Sequence, residues 1–316
     1  MLLLAAIAQT LDAGRFTATL SSFRWGFLVP ALLADVLVLL LRGRRAQVLL
    51  PVGPPWRSVM SIVATTFVAG MLTPMRVGGL LRPWMLERRF QIPFGTGLAG
   101  IVAERLLDIL SLLVLFGVAS ALGATDPALD PSGRLGEVRL LLGLAAAGGL
   151  VGFAVLLAMG PERVVGLARR LGGERVGGLA AAFEQGLRAM VGAPWRTAEA
   201  VLITVFMWLG GMSAAVWIMW GIPGVVATPA IIVTFWAAVM AANATVPTPA
   251  SLGAYEAAGI AALGLFSFDP SVAAVIVLMV HLGGLLVQAT FGGICFILDG
   301  GVNGAGQAVA NGGEGD

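Results

Sequence analysis

The chain has no lysine, a single cysteine (Cys295) and a single histidine (His281) in 316 residues. One cysteine cannot build a disulfide framework within the chain, and one Cys with one His cannot supply a Cys/His metal site. Charge is scarce too: 11% of residues carry it, and the net charge is only +2. All nineteen cationic side chains are arginines lying beside apolar segments, not gathered into a basic face, so nucleic acid is not an expected partner. The few carboxylates come with no evident nucleophile, no metal-ligand set and no nucleotide loop. No metal and no cofactor is expected, and no enzymatic reaction is assigned.

Apolar residues, by contrast, make up 58% of the chain, with mean hydropathy +0.94 and 44 glycines. These values indicate an all-α integral membrane protein, a polytopic helical bundle. About 20 apolar residues cross about 30 Å of hydrocarbon. Residues 26–42, 139–159, 198–221 and 272–298 satisfy this, as does 109–123 if its helix begins near Thr96. Asp35 interrupts the first span, facing either a partner helix or a central site. Residues 1–25 read as an N-terminal stub or a clipped span, because the apolar stretch 2–9 lacks the basic flank of a signal peptide. The Gly-rich polar stretch 299–316 reads as a disordered tail.

Arginine in short loops sets orientation. Arg42, Arg44, Arg45 and Arg57 follow the first span, and Arg163, Arg169, Arg170, Arg175, Arg188 and Arg196 lie within 160–197. Both loops are therefore placed inside, the acidic loop 124–138 outside, and the C-terminus in the cytoplasm. Val164, Leu167, Leu171, Leu179, Phe183, Leu187 and Met190 share one helical face, which makes 160–197 an interfacial connector, broken at Gly172-Gly173 and Gly177-Gly178.

Two apolar segments do not fit simple spans. Residues 58–75 lie between two arginines assigned to the inner side and are interrupted at Thr73-Pro74 and Gly78-Gly79. Residues 229–266 start on the outer side and break at Pro247-Thr248-Pro249 and Gly253. Broken helices persist at membrane depth only where protein or water satisfies the freed backbone groups. Each segment is read as a re-entrant pair, with 26–123 as the first repeat and 139–298 as the second, inserted upside down. Such inverted repeats place substrate sites of transporters near the bilayer midplane.

The scarce charge concentrates in 73–108, which holds Arg76, Arg82, Glu87, Arg88, Arg89, Glu104, Arg105 and Asp108. Thr73-Pro74-x-x-Val77-Gly78 there is echoed by Thr248-Pro249-x-x-Leu252-Gly253, and a lone charge follows each, Arg82 in one and Glu256 in the other. The two stretches read as halves of one intramembrane site. Glu104 and Asp108 share a helix face and need cations nearby. Arg105 is placed to serve Asp108, and Arg82 to serve Glu104. This cluster is either an ion-pair lock or part of the site. Arg82 and Glu256 each follow a break that leaves helix N-terminal amides able to bind an anionic headgroup. Arg76 reads as a phosphate contact or a membrane anchor. His281 reads as an interhelical hydrogen-bonding group or a proton relay, with Gln288 two turns on.

Pro74-Met75-Arg76-Val77-Gly78-Gly79-Leu80-Leu81-Arg82, Glu104-Arg105-Leu106-Leu107-Asp108 and Pro247-Thr248-Pro249-Ala250-Ser251-Leu252-Gly253-Ala254-Tyr255-Glu256 together resemble the membrane region of the lysylphosphatidylglycerol synthase family, a flippase-like membrane family. Gly79 stands where that family usually has an acid, and Ala250-Ser251 where it commonly has Gly-Gly. The resemblance implies a lipid flippase-like transporter moving an anionic phospholipid or a polyprenyl or glycolipid between leaflets, without aminoacyl transfer of its own. The candidate substrate-binding set is Arg76, Arg82, Glu104, Arg105, Asp108, Thr248, Ser251, Tyr255 and Glu256. Membrane lipid is the expected substrate; a homodimer and a lipid-modifying enzyme are the partners left open. The alternative is a non-transporting subunit presenting lipid to a glycosyl- or aminoacyl-transferase.

Overall fold

A computed structural model describes residues 11–50, 53–72, 78–124, 161–246 and 248–298, with Gly148 and Val151. Every regular element among them is helical. In chain order these are α1 (Ala13–Ser22), a 3-10 turn (Trp25–Phe27), α2 (Leu28–Val48), α3 (Trp56–Leu72), α4 (Gly78–Phe90) and α5 (Phe94–Ala124). They are followed by α6 (Pro161–Val191), α7 (Pro194–Gly221), α8 (Pro229–Thr245), a 3-10 turn (Pro249–Ser251), α9 (Ala254–Gly264) and α10 (Pro270–Leu298). The expected loop 124–138, nearly all of span 139–159, the tail 299–316 and the break at Thr73-Pro74 lie outside the described residues.

Proline starts several helices, since its missing N–H is unsatisfied at the first helical position in any case. Pro161, Pro194, Pro229 and Pro270 all open one. Thr228 caps α8 by accepting from the Ile231 amide at 3.3 Å. Glu87 caps α5 by accepting from the Phe94 amide at 3.1 Å, and α5 begins two residues before the Thr96 start that the span required. The connector is helical over Pro161–Val191 with a turn at Gly173, whose φ of 72° an L side chain rarely adopts; the second break expected at Gly177-Gly178 is not there, and the helix runs through both glycines.

Among the described residues, three helices are long and apolar enough to cross a membrane: Trp25–Val48, Pro194–Gly221 and Pro270–Leu298. Their outward faces carry apolar stripes at helical spacing, Val29, Leu33 and Leu37 on α2 and Leu202, Phe206 and Leu209 on α7. Such surface suits lipid and not water.

The chain forms two compact units that draw on both sequence repeats, not one unit per repeat. The first comprises residues 1–38, 108–154 and 205–287, the second residues 39–107, 155–204 and 288–316. Helices α2, α5, α7 and α10 each contribute to both. The first unit is built on Phe23, Ile218, Met219, Phe235, Tyr255, Leu263 and Val275–Val277, the second on Ala46, Leu50, Val59, Ile62, Val63, Met85 and Leu86. Within the second unit α3 packs on α4, and within the first α8 packs on α9.

One expectation is corrected. Arg42, Arg44 and Arg45 were assigned to a loop, but α2 continues to Val48. The apolar period runs on through Ala46 and Val48, and arginine is a good helix former. Arg45 is 2% exposed, whereas Arg44 stands at the surface and pairs with Glu199 at 2.6 Å.

Candidate functional site

Two charged centres are built into the fold, one in each unit. That of the second unit begins where α4 crosses α5. A Cβ on Gly97 would stand 3.0 Å from Pro83 Cα, so the helices touch at that point. Gly97, Ile101 and Glu104 follow one another along a single face of α5. Arg82, next to Pro83, is thereby aimed at Glu104. Its Nη1 donates to Oε1 at 2.8 Å and its Nη2 to Oε2 at 2.7 Å, a bidentate pair. The side chains are 12% and 5% exposed. Against the pair lies a cavity of about 10 Å³, lined by Ala46, Leu50, Val59, Leu86, Gly97, Gly100 and Ile101, with room for about one water.

The sequence assigned Arg82 to Glu104, and the structure pairs them. The cluster's members differ in burial: Glu104 is buried, Arg105 exposed and Asp108 half-buried. Arg105 and Arg45 both act on the Glu104 carboxylate through their charge. Arg76 lies outside the described residues.

The centre of the first unit lies beyond the break between α8 and α9. After Val246 the chain passes through the 3-10 turn, where Ala250 and Ser251 take φ of 49° and 58°, and reaches Gly253 at φ 85°. Such values strain residues other than glycine. Thr248 precedes the turn, and its Oγ1 is buried with no hydrogen-bond partner among the described residues. Glu256 is 2% exposed and Tyr255 4%. Glu256 Oε2 accepts from the Gly253 amide at 2.6 Å, and Oε1 lies 2.6 Å from His281 Nδ1 on α10. The His281 ring stacks on Tyr255 with centroids 4.1 Å apart and planes 13° apart, and Phe235 meets Tyr255 edge-on. The α9 N-terminus, expected to lie open to an anionic headgroup, is instead capped by its own Glu256. The interhelical hydrogen bond expected of His281 is present, and its partner is Glu256.

The sequence pattern of the lysylphosphatidylglycerol synthase TM region matches residues 1–292. The chain belongs to that family. No curated protein and no solved structure matches it. In this member of the transmembrane-region family the functional residue that sequence reasoning missed is Arg45. Its Nη1 donates to Thr204 Oγ1 at 3.2 Å, and Thr204 donates in turn to the Ala200 carbonyl at 2.7 Å. The signal was present: Arg45 falls one heptad after Val38 and one turn before Leu49, on an apolar face that a loop would not maintain.

Chemically, the second-unit centre is an anion site that holds its own anion. A buried guanidinium, Arg45, and a half-buried one, Arg82, act on one buried carboxylate, Glu104, the second through a bidentate pair. Four other carboxylates of that unit serve elsewhere: Glu87 caps α5, and Glu174, Glu184 and Glu199 pair with Arg169, Arg188 and Arg44.

Proposed function

We propose that this membrane protein moves a lipid with an anionic headgroup, a phospholipid or a polyprenyl or glycolipid phosphate, between leaflets, with no covalent step of its own. The observation that carries the reading is the buried bidentate Arg82–Glu104 pair beside Arg45. Burying a charge in a membrane protein costs about 2.5–3.5 kcal/mol on insertion scales, and a buried pair often adds no stability over apolar residues. A site of this kind is retained where a ligand can use it. A phosphate presents the same two-oxygen edge to Arg82 as the Glu104 carboxylate, so headgroup and carboxylate exchange on one guanidinium. Glu256, held by Gly253 and His281, is not given the headgroup.

The arrangement of the chain supports an inverted repeat. Helix α2 begins in the first unit and ends in the second, the pair α3–α4 lies wholly in the second, and α5 returns. Helix α7 begins in the second unit, the pair α8–α9 lies wholly in the first, and α10 returns. The element order is the same with the units exchanged.

The test is reconstitution in liposomes carrying fluorescent anionic, zwitterionic and polyprenyl-phosphate lipids on one leaflet. Exchange of an anionic lipid by the wild type, lost in Arg82→Ala and weakened in Arg82→Lys, is the expected result. Absence of exchange for every lipid class, or equal rates in wild type and Arg82→Ala, would refute it.

A further inference from the structure

Glu256 and His281 are the buried titratable pair that headgroup binding leaves unused. Both oxygens of Glu256 are taken, one by the Gly253 amide and one by His281 Nδ1, each at 2.6 Å. A nitrogen and an oxygen that close leave no space for a metal cation between them. Two acceptors would not approach so far, so one proton already lies on that line. Holding that one proton, the pair carries one negative charge, in a setting where Glu256 is 2% and His281 7% exposed. An unbalanced charge there is costly.

The groups facing the pair add to the cost. On α9 the neighbour is Tyr255, stacked on the imidazole. From α2 comes Asp35, whose charge reaches Tyr255. Phe235 of α8 is apolar. The charges that act on Tyr255 from these elements are both carboxylates, Asp35 and Glu256.

We infer that Glu256 and His281 form a proton-binding site. A proton from water adds to the Nε2 lone pair, the imidazolium offsets the Glu256 carboxylate, and the pair goes from one negative charge to none; loss of the same proton restores it. The site is tied to a strained hinge, because the Glu256 oxygen not facing His281 holds the Gly253 amide at the end of the left-handed stretch Ala250–Ser251. A proton that redistributes charge on Glu256 changes that hold, and with it the geometry of the break between α8 and α9. On the lipid-moving reading above, the proton is the coupling ion of transport.

His281 is the chain's sole histidine, so histidine-selective 15N labelling of the whole protein in nanodiscs gives one imidazole. On acidification across about pH 8 to 5, the range in which histidine carries protons, it is expected to convert from the neutral Nδ1–H form to imidazolium. In Glu256→Gln the transition moves. An imidazole in one form throughout, or an unmoved transition in Glu256→Gln, overturns the site. Coupling is read in liposomes as the ratio of lipid exchange rates with and without a pH gradient. That ratio departs from one in wild type and returns to one in His281→Gln, which keeps an N–H donor but cannot carry the proton. A wild-type ratio of one with a titrating imidazole overturns coupling alone. Failure of all lipid exchange refutes the transport reading, and the NMR result still decides the site.

Discussion

At the residue scale, the Arg82–Glu104 pair shows how a structural role and a ligand role can be told apart. Removing one partner of a buried pair leaves the other charge uncompensated, a loss of about 3–5 kcal/mol, whereas replacing both by apolar residues of similar volume is close to neutral. Arg82→Ala is thus expected to lower thermal stability in detergent strongly, and Arg82→Met with Glu104→Leu to restore most of it. A lock alone predicts that the double variant also recovers lipid exchange; a headgroup site predicts that it does not. A second pair gives a pH dependence outside the membrane spans. Asp269 is held below the usual carboxylate range, first by the Ser271 amide at 2.9 Å and then by Arg15, with which it forms an ion pair. A lowered folded-state value means the contribution is full above the unfolded carboxylate's titration, at about pH 4, and fades as pH falls through the folded value. Hydrogen exchange in α1, tethered there also by the Asp12 amide to Ser271 Oγ at 2.9 Å, is expected to quicken below about pH 4 relative to intrinsic rates, and Asp269→Asn to remove that dependence.

At the element scale, close helix contacts carry the geometry. A Cβ on Gly292 would stand 2.6 Å from the Ala64 carbonyl oxygen, a backbone atom that no side-chain rotation can move. Gly292→Ala must push α10 from α3, a cost of about 1–3 kcal/mol by the usual penalty for overpacking, readable as a lowered melting midpoint in detergent. An unchanged midpoint would show that the contact is looser than its distance implies. Such contacts explain what the sequence could and could not reveal. Helix positions were legible to within a turn: spans 198–221 and 272–298 fall inside α7 and α10, and the break ending at Gly253 separates α8 from α9. The Arg82–Glu104 pair was legible too, since Glu104 needed a cation and Arg82 was the near one. Arg45 was missed although its spacing from Val38 and Leu49 marked it, because a run of arginines after a span reads first as a loop; the packing of α2 shows it buried. The Glu256–His281 contact was not legible, because it joins residues on different helices through a fold the local pattern does not encode.

For the whole molecule, arginine is divided unequally between the two units. Fifteen of the nineteen lie in residues belonging to the second unit, and only Arg15, Arg24, Arg134 and Arg139 in those of the first. The start of α7, the connector and the last turns of α10 all belong to the second unit. Since cytoplasmic segments retain arginine, this unit is expected to carry the inner-side segments, and the chain following α10 is expected in the cytoplasm as well. The prediction can be checked chemically because Cys295 is the only cysteine. In a Cys295→Ser background, a single cysteine at Arg175 of the connector or at Glu314 should resist a membrane-impermeant maleimide in intact cells and react once the membrane is opened. A cysteine at Asp130, in the loop placed outside, should react in intact cells. Labelling of Arg175→Cys from outside would reverse the orientation of the whole bundle and put the Arg82–Glu104 centre on the opposite face from the one its arginines indicate.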